Sequence, residues 1–316
     1  MILITGGAGF IGSNLVKKLI DDKKEVVVLD NFDSFYPPEI KRRNIRSFLS
    51  NPRFTLIEGD IQDKSVIDSI FKSFSIKKVV HLAARAGVRP SIKDPFIYEK
   101  VNIEGTLNLL EVCKKYRIEK FIFASSSSVY GNIQTIPFCE DTDRLFPISP
   151  YGVTKLAGEF LCKNYSYLYK IPTVCIRIFT AYGPSQRPEM AIHKFTRLIY
   201  EGKPVPVFGK GNFKRDYTYI DDLVEGMVSA IDRKLDFEII NLGSSNPVDL
   251  LTVIRIIESN LHKKAKVQYL PPQPGDPPIT YADIDKARKI LGYHPEVSIE
   301  EGIRRFIDWY LENYTG

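Results

Sequence analysis

A doubly wound parallel α/β sheet followed by a smaller mixed α/β lobe is the fold class this sequence predicts, and three observations carry it. Through the first 178 residues, short β-branched runs alternate with amphipathic stretches long enough for helical crossovers, the rhythm of parallel strands with helices on both faces. A glycine-rich turn follows the first of these runs and opens a helix. Beyond Ile178 the alternation loosens, prolines and glycines become more frequent, and strand-like pieces mix with helical ones.

The sheet strands are predicted at Ile2–Thr5, Glu25–Leu29, Phe54–Glu58, Lys78–His81, Lys120–Ala124 and Thr173–Ile178. Further strands are expected at Val205–Phe208, Asp216–Ile220 and Phe237–Leu242, and helices near Tyr98–Tyr116 and Pro150–Tyr169. This gives a first domain over 1–178, to which 213–242 partly returns, and a second lobe over 179–316. Pro271–Pro278 reads as a loop. A chain of 316 residues, at about 150 per domain, suits one two-lobed unit.

With 44% hydrophobic and 26% charged residues, disordered, collagenous and disulfide-scaffold classes are excluded. The formal charge of +6 comes mostly from scattered lysine pairs, and the densest basic run, Lys41 to Arg46, lacks interleaved aromatics. No nucleic-acid partner is expected, while a modest positive field suits small anions. Cysteines at 113, 139, 162 and 175 show no Cys-x-x-Cys spacing, and the four histidines do not cluster with them, so no metal is expected. No apolar run approaches about 18 residues, and no charged segment precedes the first strand. The expectation is no membrane span, no signal peptide and a cytoplasmic location with free thiols.

Gly6, Gly9 and Gly12 recur every third residue, with Phe10 and Ile11 between the last two. Glycine lets the backbone turn tightly and approach a pyrophosphate, whose charge sits on the free N–H groups of the helix N-terminus. The fold is therefore Rossmann-type. Asp30 closes the second strand, where a carboxylate takes the adenosine ribose hydroxyls and repels a 2′-phosphate. That favours NAD over NADP. A plain tight turn with a strand-end aspartate, or NADP held by Lys41 to Arg46, are the alternatives.

Tyr151 and Lys155 stand four apart in Ser-Pro-Tyr-Gly-Val-Thr-Lys, so both project from one helix face. An ammonium beside a phenol favours the phenolate, and a nicotinamide cation adds to that field, making the tyrosine a base near neutral pH. Ser125 to Ser128 run off the fifth strand at its carboxyl end, the crevice where open α/β sheets place ligands. They read as a polar turn or as hydroxyls aimed at a polar substrate; consecutive serines are poor strand formers.

In this order and spacing the motifs resemble the extended short-chain dehydrogenase/reductase superfamily, and within it the nucleotide-sugar epimerases, over essentially the whole chain. The resemblance implies that Ser126 assists catalysis beside Tyr151 as base and Lys155 as its electrostatic partner. It places Asp60 and Ile61 at the adenine, Ala83 in a loop beneath the cofactor, and Asn102 near the active site. Ala86-Gly87-Val88-Arg89, Phe179 to Pro184 with Arg187 to Ala191, Lys214 to Asp222, and Gln273-Pro274-Gly275-Asp276 narrow the likeness to the UDP-glucuronate 4-epimerases. UDP-glucose 4-epimerases commonly carry Asn at Thr180 and Arg at Gln273. The chain departs from the usual pattern at Pro90 and Ser185-Gln186.

The likeness implies a homodimer that uses NAD to epimerise C4 of a UDP-sugar, UDP-glucuronate to UDP-galacturonate, through a 4-keto intermediate. Arg215 and Asp276 would hold the diphosphate and ribose, and Arg187 would lie near the nucleotide. Oxidising C4 of a glucuronate gives a β-keto acid prone to lose carbon dioxide, so its carboxylate needs neutral donors, which Ser127, Ser128 and Thr180 supply. The acid that related dehydratases and decarboxylases carry beside the catalytic Ser or Thr is absent from Ser126 to Val129. The rival readings are a UDP-glucose 4-epimerase and a non-catalytic dinucleotide-binding regulator.

Overall fold

The computed structural model describes residues 1–271 and 277–314. Seven strands form the central sheet: β1 (Ile2–Thr5), β2 (Val26–Asp30), β3 (Phe54–Glu58), β4 (Lys78–His81), β5 (Lys120–Ser126), β6 (Thr173–Ile178) and, after a long excursion, a seventh at Phe237–Leu242. Their spatial order is β3-β2-β1-β4-β5-β6 and then the seventh, and every pairing is parallel. The winding reverses between β1 and β4, which opens a crevice at the carboxyl ends of the strands.

Both faces of the sheet are buried, as a parallel sheet requires. Ile4, Val28, Val80, Ile122 and Ile176 point into one core. Their neighbours Leu3, Val27, Val79, Phe123 and Cys175 point into the other, so the apolar runs read from the sequence feed two layers by the period-two alternation of a strand. At the opposite end of the sheet, Lys120 donates to the Leu235 carbonyl at 2.6 Å and Lys78 to that of Ile231 at 2.9 Å. Ile231 lies in the last turn of the helix Ile220–Asp232, whose terminal carbonyls favour a cation.

Between β6 and the seventh sheet strand lie β7 (Thr180–Tyr182), β8 (Pro204–Phe208) and β9 (Lys214–Tyr219), so the seventh is β10, followed by β11 (Pro247–Asp249) and β12 (Lys266–Leu270). β9 pairs with β7 in parallel and with β11 antiparallel, and β12 runs parallel to β8.

Two boundaries differ from the sequence reading in instructive ways. β5 continues through Ser125 and Ser126, because both are buried and aligned in register with Arg177 and Ile178 of β6; ladder pairing and burial override serine's weak strand preference. Ile220 leaves the predicted strand to open the helix that follows β9. No helix among the described residues is long and apolar enough to cross a membrane.

Candidate active site

The crevice holds a cavity of about 370 Å³. One end is built by the glycine turn. Gly6 adopts φ +71°, and a Cβ there would sit 2.7 Å from the Ala83 backbone nitrogen; a Cβ at Gly12 would overlap the Gly6 carbonyl oxygen. Gly9 caps the helix Phe10–Asp21 without any side-chain acceptor. Gly6, Gly9, Phe10, Ile11 and Gly12 all line the cavity. The turn is a cradle that side chains would fill, and it fits a pyrophosphate at a helix N-terminus.

Asp30 lies next along the wall, buried, accepting from the Ala8 N–H at 3.1 Å and the Phe32 N–H at 2.9 Å. Lys41, from the basic run, comes within 3.9 Å of its carboxylate; burial pulls that lysine below its usual value and Asp30 opposes the pull. Asp60 and Ile61 form the neighbouring wall, with Asp60 receiving the Asn31 amide at 2.7 Å. Below them Ala83 donates to Thr5 Oγ1 at 3.2 Å. Thr5 Oγ1 also meets His81 Nδ1 at 2.7 Å, and His81 Nε2 meets Thr106 Oγ1 at 3.0 Å. Burial first, then Lys155, pushes that imidazole down to about 3.

The other end gathers Ser126, Ser127, Ser128, Tyr151, Lys155, Thr180 and Arg187 around one space. Ser149 caps the helix Pro150–Tyr169 by accepting from the Gly152 N–H at 3.1 Å, with proline in its first turn, a strong start signal. That start fixes the faces on which Tyr151 and Lys155 fall. The strand end turns into a single helical turn over Ser127–Val129, held by the Ser128 N–H donating to Ser126 Oγ at 3.1 Å, so successive serines face the cavity.

Burial raises the Tyr151 phenol above its ordinary value, and the groups drawing it down are the Ser126 hydroxyl, by hydrogen bond, and Arg187. Lys155 donates to the Ala124 carbonyl at 2.7 Å, and burial lowers its ammonium to about 8. The lysine is therefore directed at β5 rather than at the phenol, which the four-residue spacing alone does not reveal.

Arg89 and Arg215 do not line this cavity: Arg89 lies 4.5 Å from the Phe208 ring and Arg215 5.9 Å from the Phe213 ring. Gln273 and Asp276 fall outside the described residues. Arg85, Tyr36 and Lys41 also line the wall, although no motif in the sequence marks them individually. Arg85 pairs with Asp33 and lies 4.9 Å from the Phe35 ring. Only Lys41 had a sequence signal, the basic run, and spacing gives no hint of the inward turn.

A family model described as GDP-mannose 4,6 dehydratase matches residues 3–306. UDP-glucuronate 4-epimerase of Thermodesulfobacterium geofontis is 42% identical over 98% of this chain and 96% of its own length. The chain belongs to the nucleotide-sugar epimerase family. Among solved epimerases of this family, the UDP-glucuronic acid 4-epimerase of Bacillus cereus in complex with UDP-glucuronic acid and NAD superposes with a TM-score of 0.94, at 42% identity and 99% coverage of both chains. The UDP-glucose 4-epimerase of Thermus thermophilus in complex with NAD reaches 0.90 at 32% identity, covering 99% of each chain.

Proposed function

We propose that this enzyme interconverts UDP-glucuronate and UDP-galacturonate by epimerisation at C4 with bound NAD. The observation that carries the reading is one cavity joining the glycine cradle and Asp30 to Tyr151, Ser126 and Thr180, in a chain 42% identical to a UDP-glucuronate 4-epimerase. The Gly6–Gly12 turn would hold the pyrophosphate of NAD, Asp30 its ribose, and Asp60 with Ile61 its adenine. When bound, NAD supplies a reversible acceptor for the C4 hydride.

The protein's own part is proton transfer and positioning. Tyr151 removes the C4 hydroxyl proton and later returns it, Ser126 hydrogen-bonds the same oxygen, and Lys155, held at the Ala124 carbonyl one turn along the helix, acts on the phenolate as a nearby positive charge and not as a direct hydrogen-bond donor. Ser127, Ser128 and Thr180 offer neutral donors to the C6 carboxylate, while Arg187, Arg89, Arg215, Gln273 and Asp276 are assigned to the nucleotide sugar by resemblance.

The enzyme acts as a homodimer in the cytoplasm on this reading. Phe96 (82% exposed), Phe160 (63%) and Tyr167 (74%) lie on or beside the helix Pro150–Tyr169, and an apolar surface of that kind marks an interface. Light scattering at micromolar concentration should report a dimer. Separate incubations with UDP-glucuronate and UDP-glucose, followed by separation of products, test the activity; turnover of UDP-glucose alone would place the enzyme with the UDP-glucose 4-epimerases.

A further inference from the structure

Tyr151, Lys155 and Glu159 stand four apart on one helix and share its face. All three reach the same end of β5: Tyr151 is hydrogen-bonded by Ser126, Lys155 donates to the Ala124 carbonyl at 2.7 Å, and Ser125 Oγ donates to Glu159 Oε1 at 2.5 Å. Glu159 also receives Arg177 of β6 in a fork, Nε to Oε1 at 2.9 Å and Nη2 to Oε2 at 2.8 Å. Glu159 is 3% exposed and Arg177 1%. One carboxylate thus joins the helix to two adjacent strands, directly behind the lysine. Arg177 in turn lies 4.7 Å from the Tyr130 ring, whose hydroxyl donates to Asn241 of β10 at 2.7 Å.

Well-packed apolar residues fill a buried ion-pair site at least as stably, so this pair calls for a role other than stability. We propose that Glu159 and Arg177 are positioning residues for the reaction: their fork sets the helix against β5 so that Tyr151 meets Ser126, and Glu159 cancels the arginine charge that would otherwise act on Tyr151 and Lys155. The proposal rests on the roles assigned above to those two residues.

The charges around them make the effect readable. Lys155 faces the Phe123 ring at 5.1 Å, His81 from β4, and Cys162 and Glu159 from its own helix. Tyr151 faces Ser126, Tyr98 at 6.2 Å between ring centroids, and Arg187. Burial holds His81 neutral, so the fixed charges near the pair are Arg187, Glu159 and Arg177. Arginine keeps its proton when unpaired. Removing the Glu159 charge therefore leaves a full positive charge behind the helix, which favours phenolate over phenol and neutral lysine over ammonium; both ionisations move to lower pH.

Three full-length variants test this by pH–rate profile, kcat and KM. Glu159→Gln should shift both limbs of the profile down by about half a pH unit or more. Glu159→Asp keeps the charge but shortens the fork by one methylene, so it should leave the limbs in place and lower kcat at least about tenfold, with KM for the sugar within about threefold. Glu159→Gln combined with Arg177→Met removes both charges, so the limbs should return to wild-type positions while kcat stays low; it also serves if Glu159→Gln alone does not fold. Variants that lose thermal stability but keep wild-type kcat and limbs would overturn the proposal. Tyr151→Phe, measured alongside, separates the two levels: full activity there overturns the assigned base, and with it the pair's role, whereas an inactive Tyr151→Phe together with unmoved limbs in Glu159→Gln, or with wild-type kcat in Glu159→Asp, overturns the pair's role alone.

Discussion

Asn102 donates through Nδ2 to Thr154 Oγ1 at 3.0 Å, which ties the π-helical turn Lys100–Glu104 to the helix carrying Tyr151 and Lys155. The same side chain accepts the Arg85 N–H at 2.7 Å and donates to the Arg85 carbonyl at 3.0 Å, so it reproduces a backbone partner for a loop residue that lines the cavity. Single π turns inside helices recur at functional sites, and here the turn is what presents the amide.

Asn102→Ala should leave both Arg85 backbone groups unpaired, at about 1–3 kcal/mol for a buried group that loses its partner. Denaturant unfolding should show that loss, and turnover should fall because the Arg85 wall is no longer fixed. A variant as stable as wild type would mean that water replaces the amide fully.

The cofactor prediction follows from Asp30, which is buried in the cavity wall beyond the glycine turn, where the proposed function puts the adenosine ribose, and is fixed by two backbone N–H groups. Protein purified without added nucleotide should release NAD on denaturation, since one molecule must both take and return the hydride. Asp30→Asn should narrow the preference for NAD over NADP by removing the charge that repels a 2′-phosphate. Extraction yielding only NADP would contradict the assignment.

Tyr151→Phe should lower the epimerisation rate by roughly 100-fold or more while leaving UDP-sugar affinity nearly intact, because the lost oxygen acts on a proton in the transition state. Lys155→Met should behave similarly and weaken NAD binding as well. Equilibrium binding of the nucleotide sugar beside steady-state rates distinguishes these outcomes from misfolding.

Acid should destabilise the fold through two buried imidazoles. Burial pushes His81 down to about 3 and His193 to about 4, below the value of about 6.5 that each has when unfolded. Above that value neither affects stability. As pH falls below it the unfolded chain takes up protons that the folded chain refuses, so stability declines down to the folded values. At pH 5, about 1.5 units below the unfolded value, each histidine accounts for about 2 kcal/mol of loss. His193 packs against Phe306, Trp309, Tyr310 and Tyr314 and holds the Gln186 carbonyl through Nδ1 at 2.6 Å. His193→Gln should flatten the slope of stability between pH 7 and pH 5 by its share; an unchanged slope would remove His193 from this account.

The sheet was legible because its signals are local. Each central strand is a short run dominated by apolar and β-branched residues, and the glycines at 6, 9 and 12 follow the first of them directly. What escaped depends on long-range contacts. Ser125 and Ser126 belong to β5 because Arg177, Ile178 and Glu159 lie beside them in space, and β7 and β11 have three residues each, too few for a period to emerge. Arg85 and Tyr36 reach the cavity through loop geometry. Resemblance aligned Arg89 and Arg215 with a substrate role; their guanidinium groups lie by Phe208 and Phe213, positions that the motif alone does not give for so long a side chain.

The choice of sugar turns on Thr180. It lines the cavity with Ser127 and Ser128, at the start of a strand, β7, that pairs with Tyr217 of β9, so its place is set by a ladder rather than by a mobile loop. If these hydroxyls bind the C6 carboxylate, each hydrogen bond to that charge should contribute about 1.5–3 kcal/mol, and UDP-glucose offers only a hydroxymethyl group there. UDP-glucuronate should then be preferred by at least about 100-fold in kcat/KM, or roughly 2.7 kcal/mol of transition-state discrimination. Thr180→Ala should reduce that ratio by slowing the acid selectively. Equal slowing of both sugars would show that Thr180 does not sense the carboxylate, and a wild-type preference for UDP-glucose would show that no carboxylate pocket exists at this end of the cavity.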